Sequence, residues 1–153
     1  LYTHLTLEAG TRLEFTDESG LRVINQLAGV TAVGTAGEPI VFTGVTAEPG
    51  AWNGLYFANL NENGDPVARS RFEHVLVEYG GAYVFQDSGA NEVWGNFLID
   101  SSGWPSAIEL VSSTIRHSSG YGVWLDCEAD LTSVGVDYAD NALSDVGLEP
   151  DCS

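Results

Sequence analysis

The feature that most constrains this chain is a short apolar phrase, closed by glycine or polar residues, that returns along it. The phrase stands at residues 72–81 (FEHVLVEYGG), at 110–120 (LVSSTIRHSSG) and at 131–141 (LTSVGVDYADN). With Val77, Ile115 and Val136 taken as equivalent, the spacings are 38 residues (115 − 77) and 21 residues (136 − 115), the first near two units of the second. A unit of about 20 residues built on a short strand cannot bury its own apolar face, so units must stack, and stacked units make a solenoid.

The remainder of the chain reads the same way. In residues 5–15 (LTLEAGTRLEF), Leu5 and Leu7 alternate, Ala9 and Gly10 turn, and Leu13 and Phe15 alternate again, which is strand, turn, strand. Leu21 and Val23 follow the turn at 17–20. Residues 30–35 and 40–43 flank a corner in which Gly37 and Pro39 supply turn dihedrals. The polar run 59–66 reads as a protruding loop and 72–79 as one strand, with Val75, Val77 and Tyr79 on a shared face. Residues 107–125 make the best-formed coil, and 131–148 make the last. With 18 glycines, no methionine and no lysine in 153 residues, composition favours strands and tight turns over helices. No linker divides the chain. The expectation is one all-β domain, 1–153, of about five to seven coils, with the acidic segment 126–153 as a C-terminal cap.

A formal charge of −17 repels phosphate backbones and anionic headgroups, so nucleic acid is not an expected partner. No apolar run reaches the roughly 18 to 20 residues needed to cross a bilayer, so membrane insertion is not expected either. The charge reads first as a solvated surface and second as a reservoir of oxygen ligands for a divalent cation. Cys127 and Cys152 have the spacing of neither a redox pair nor a zinc set, and a disulfide pinning the C-terminal tail of a secreted protein is expected. The start at Leu1 without an initiator Met is expected of a mature form or a fragment.

The ordered phrases LTLEAGTRLEF, VTAVGTAGEPIVFTG, AWNGLYF, FEHVLVEYGG and STIRHSSGYGVWL resemble the single-stranded right-handed parallel β-helix (β-solenoid) domains of bacterial secreted and cell-surface proteins, large surface lipoproteins among them. The resemblance runs from Leu5 to about Leu148. It implies three strands per coil, an extracellular location, and a fold shared by adhesins, passenger domains and polysaccharide lyases, so it is specific for fold and not for activity. Such coils expose strand edges at both ends. No amphipathic capping helix stands at the N-terminus, and self-association through coil ends is one expectation.

Candidate sites follow. Polysaccharide lyases of this class use a basic residue beside calcium held by acids, which makes Arg116 and His117 catalytic candidates; the structural reading is an arginine paired to a carboxylate and a histidine at a corner. Asp126, Glu128 and Asp130 alternate, so in an extended segment they would share a side and begin a calcium site, with Asp137 and Asp140 from the next coil. Glu73 with Glu78, or Glu78 with Glu109 from another coil, are the carboxylate pairs a glycosidase would need. Trp104, Tyr121 and Tyr83 are candidates for a platform binding a glycan or a cell-surface protein. The leading expectation is a non-enzymatic extracellular spacer or adhesive module without a required cofactor; the second is a calcium-assisted polysaccharide lyase or glycoside hydrolase.

Overall fold

The computed structural model describes residues 3–24, 28–58, 69–87, 91–100 and 107–150. The first coil is β1 (His4–Leu7), β2 (Arg12–Phe15) and β3 (Leu21–Val23); the second is β4 (Gly29–Val33), β5 (Ile40–Gly44) and β6 (Leu55–Ala58). The third is β7 (Ser70–Glu73), β8 (Val75–Glu78) and β11 (Gly95–Asp100), with β9 (Phe85–Gln86) and β10 (Glu92–Val93) inserted before its last strand. The fourth is β12 (Ala107–Val111), β13 (Thr114–Arg116) and β14 (Tyr121–Leu125), and the fifth β15 (Asp130–Val134), β16 (Asp137–Ala139) and β17 (Val146–Leu148). First strands pair only with first strands, second with second and third with third, giving three five-stranded parallel sheets, β1-β4-β7-β12-β15, β2-β5-β8-β13-β16 and β3-β6-β11-β14-β17. This is a right-handed parallel β-helix of five coils, with no helix among the described residues. The acidic segment after Asp126 therefore supplies a coil of its own, β15 to β17.

Alternation decides which residues turn inward. Leu13, Phe42, Val77, Ile115 and Tyr138 form one column through the second sheet, each beside the next. The differences 42 − 13, 77 − 42, 115 − 77 and 138 − 115 give coils of 29, 35, 38 and 23 residues. Two expectations are corrected here. The 38-residue gap is a single coil enlarged by insertions, and the residue equivalent to Ile115 is Tyr138, two positions beyond Val136. A slip of two leaves every side chain on its own face, so alternation alone cannot detect it.

The repeated phrase is also not one strand. His74 takes φ 48°, Ser112 46° and Gly135 62°, and each bends the chain from the first sheet to the second. A second file of left-handed residues, Tyr79 (φ 65°), His117 (53°) and Asp140 (54°), leads out of the second sheet. Non-glycine residues in this region are strained and uncommon, so glycine counts do not locate these corners.

The core is one file of inward side chains in which Phe72 touches Phe42, Phe57 and Phe97 edge-on at centroid distances of 6.0, 5.9 and 5.2 Å. Trp52 closes the core at a corner, stacked 4.4 Å from Phe15 and donating its Nε1–H to the Glu78 carbonyl at 2.8 Å. Asn96, fully buried, accepts from the Gly80 amide through Oδ1 (2.8 Å) and donates through Nδ2 to the Arg116 carbonyl (2.9 Å), stitching the third coil to the fourth.

Candidate functional site

The third sheet carries an outward column, Arg22, Tyr56, Leu98, Trp124 and Gly147. An outward Leu-Trp-Tyr file in water would be an exposed apolar patch. Here the inserted segment covers it. Residues 82–87 and 91–93 leave the coil, β9 and β10 pair antiparallel, and Asn91 ties the arm by donating its amide to Asp87 Oδ1 at 2.7 Å. Phe85 then lies 5.6 Å from the Tyr56 ring and 6.0 Å from the Trp124 ring, and Val93 is buried with them, forming a second apolar cluster outside the helix.

Between this arm and the corners that lead into β3 and β6 lies a pocket of about 330 Å³. Its walls are Glu18, Ser19, Arg22, Asn53, Tyr56 and Tyr83. The Arg22 guanidinium sits 4.9 Å from the Tyr56 ring centroid and 5.5 Å from that of Tyr83, and the two rings meet edge-on at 5.9 Å. Asn53 Nδ2 donates to the Glu18 carbonyl at 2.9 Å, and Glu18 is held in the left-handed region (φ 60°). The pocket floor is therefore set by a sheet register and its rim by a strained corner. Tyr56 donates its hydroxyl to Asp100 Oδ2 at 2.8 Å. Burial, followed by that hydrogen bond, raises the phenol well above its usual range.

A consequence can be measured. An unfolded tyrosine ionises near pH 10, whereas folded Tyr56 keeps its proton to higher pH, so above about pH 10 the native state binds more protons than the unfolded one. Unfolding free energy should then fall with rising pH, by at most about 1.4 kcal/mol per pH unit from this group. Tyr56→Phe should flatten that alkaline slope in urea titrations at pH 9 to 11, leaving the share of Tyr138, which burial also raises.

The structure separates most of the residues singled out from the sequence. Arg116 places Nε 2.9 Å and Nη2 2.8 Å from Glu78 Oε2, while Thr43 Oγ1 donates to Glu78 Oε1 at 3.3 Å, so Arg116 balances a buried carboxylate. It also borders an open groove of about 350 Å³ with His74, Ser112 and Thr114. His117 stacks on Tyr79 (5.2 Å, 9° between planes), with Nδ1 3.7 Å from Asp140 Oδ2. Glu73 and Glu109 converge, but on Arg71, which bonds both. Glu78 lies on another sheet.

Asp126, Glu128 and Asp130 do not share one extended segment: Ala129 N donates to the Asp126 carbonyl (3.3 Å) and Glu128 N to Asp126 Oδ1 (3.0 Å), which closes a turn before β15 begins at Asp130. Asp130 pairs instead with Arg69 at 3.7 Å. Among the described residues no group of three or more His, Cys, Asp or Glu side chains is placed to hold a metal. Cys127 sits in the same turn, its Sγ 3.1 Å from Glu149 Oε2. Cys152 and Trp104 lie outside the described residues. Tyr83 and Tyr121 both pack on the outer cluster, but Tyr121 covers Gly147, where a Cβ would come within 2.5 Å of its ring. Of the two described platform residues, Tyr83 lines the pocket. Arg22, Asn53 and Glu18 carry no motif, and only the register of the third sheet and the corners beside it bring them together.

Residues 2–92 match the model of the pectate-lyase-like β-helix domain family. The chain belongs to that family. No curated protein and no solved structure matches it.

Proposed function

We propose that this chain is a non-enzymatic extracellular binding module of a surface protein, and that its pocket takes a single sugar unit of a neutral glycan. The observation that carries this reading is the pocket itself, in which a half-buried tyrosine face and a guanidinium stand among a carboxylate, a hydroxyl and an amide. Sugars present C–H faces that pack on aromatic rings and hydroxyls that planar polar groups bridge. At about 330 Å³ the pocket is at the small end of ligand sites, suited to one ring and not to a polymer bound along its length. A charge of −17 disfavours polyuronates and leaves neutral glycans. The non-enzymatic part rests on the use already made of the candidate catalytic groups: Arg116 is held by Glu78, and Glu73 and Glu109 by Arg71. A Cys127–Cys152 crosslink would suit the oxidising surroundings of such a module.

Titration calorimetry against neutral and uronate oligosaccharides tests both parts. Binding of a neutral glycan, weakened about fivefold or more by Tyr83→Ala, is expected, since one well-placed aromatic contact is worth about 1 kcal/mol or more. A glycan set that binds nowhere, or binds Tyr83→Ala equally well, would exclude the pocket. New reducing ends or unsaturated products after incubation would overturn the non-enzymatic part.

A further inference from the structure

We propose that the groove on the outer face of the second sheet binds a small tetrahedral oxoanion, the phosphate or sulfate group of a monoester. The groove lies over the second, third and fourth coils and holds about 350 Å³, the small end of ligand sites. Pro39 and Leu76 give it apolar surface, and Thr35, His74, Ser112, Thr114 and Arg116 supply its polar groups. Among the described residues no Asp or Glu lines it, in a chain that carries 22 of them.

Two of those side chains stand where the backbone asks for glycine. Arg12, Leu76, Thr114 and Asp137 share one column of the second sheet, and two positions before each of them the chain turns left-handed. Those positions are Gly10 (φ 77°), His74 (48°), Ser112 (46°) and Gly135 (62°). Glycine takes such angles freely, whereas His and Ser are strained there. The first and fifth coils, which the groove does not reach, use glycine; the third and fourth keep a side chain in spite of the strain, and both side chains border the groove. Neither one ties the fold together. Among the described residues the His74 ring and Ser112 Oγ have no hydrogen-bond partner in the protein, nor have Thr114 Oγ1 and Arg116 Nη1.

The donors select the ligand. Arg116 turns its Nε and Nη2 edge to Glu78 Oε2, at 2.9 and 2.8 Å, so the planar fork that would hold a carboxylate by two bonds is occupied. What remains is a set of single donors from different elements: Nη1, two hydroxyls and an imidazole. A tetrahedral oxoanion, with acceptor oxygens pointing in several directions, can take all of them, as a planar carboxylate cannot. The carboxylates next to these residues in sequence or register are Glu73, Glu78, Glu38 and Asp137. Glu73 is bonded by Arg71 and Glu78 by Arg116. Glu38 lies against the first coil, its Cβ 3.8 Å from where a Cβ on Gly10 would stand, and Asp137 is one coil beyond Thr114. The net charge of −17 opposes a polyanion at each of its charges but a single oxoanion only once, and beyond about 8 Å it is screened at physiological salt. The groove shares no residue with the sugar pocket and stands whether or not that pocket binds a glycan.

An NMR titration of the 153-residue chain with inorganic phosphate and with inorganic sulfate, at ionic strength fixed with chloride, is the test. Saturable shifts confined to the surroundings of His74, Ser112, Thr114 and Arg116 are expected, with a dissociation constant on the order of 1 mM. His74→Gly and Ser112→Gly should each weaken binding about tenfold, the scale of one hydrogen bond to a charged group. Neither should lower the melting temperature, because glycine relieves the left-handed strain. Methyl phosphate and methyl sulfate, titrated in turn, tell which of the two esters the groove takes, and acetate should bind more weakly than the better of them. Tyr83→Ala should leave oxoanion binding unchanged. The absence of a saturable shift, binding untouched by both glycine variants, acetate bound as tightly as either ester, or a His74→Gly chain that melts several degrees lower would overturn the proposal.

Discussion

Phe72→Ala should lower the unfolding free energy by about 3 to 5 kcal/mol, the range for emptying a buried aromatic site. Phe72 is fully buried, and its ring is the meeting point of Phe42, Phe57 and Phe97, one from the second sheet and two from the third. Its column neighbours are Ala32 on one side and Leu110 on the other, so the small Ala32 leaves the room that the ring fills. A solenoid has little freedom to collapse around such a hole, because each coil is held at the spacing of its strand pairs. At roughly 2 to 4 °C per kcal/mol for a domain of this size, the melting temperature should drop by about 10 °C. Guanidinium unfolding followed by tryptophan fluorescence measures it. A loss below about 1 kcal/mol would mean that Phe72 is not at the centre of the core.

Asn96→Ala should cost about 2 to 4 kcal/mol for a different reason. The side chain is fully buried and serves the Gly80 amide and the Arg116 carbonyl, groups that the corner bends away from the strand ladders. Removing it strands a buried donor and a buried acceptor, each worth about 1 to 3 kcal/mol when left unmade. Asn141, from the fifth coil, serves the corner of the fourth in a similar way, taking the Ser118 amide and giving to the Ile115 carbonyl, but it is less buried. Asn141→Ala should therefore be the milder of the two, and native-state hydrogen exchange should show the Gly80 amide losing protection in Asn96→Ala alone. Equal losses at both positions would show that burial does not set the cost.

The two substitutions mark where the sequence is informative and where it is silent. Phe72 was legible: it sits in an alternating apolar phrase, and alternation says that one side is buried. Asn96 was not, since a polar residue inside GNFLID has no pattern to announce it. Similarly, Tyr83 was identifiable as an aromatic able to face outward from the coil, whereas Arg22 reads only as the polar member of a short alternating strand. What gives Arg22 a role is Tyr56 beside it in the next coil and Tyr83 carried back over it by the arm.

By itself the sequence determined the all-β class, the short strands, most of the turns and the stacking of coils, because each follows from the local period of apolar residues and from turn chemistry. The register, the size of each coil, the corners at His74 and Ser112, and the pocket were decided only by the tertiary structure. An alternating pattern maps onto itself when shifted by two residues, so nothing local distinguishes Val136 from Tyr138 as the neighbour of Ile115. That choice is made by the side chains of the adjoining coil, and the site is built from the same cross-coil contacts.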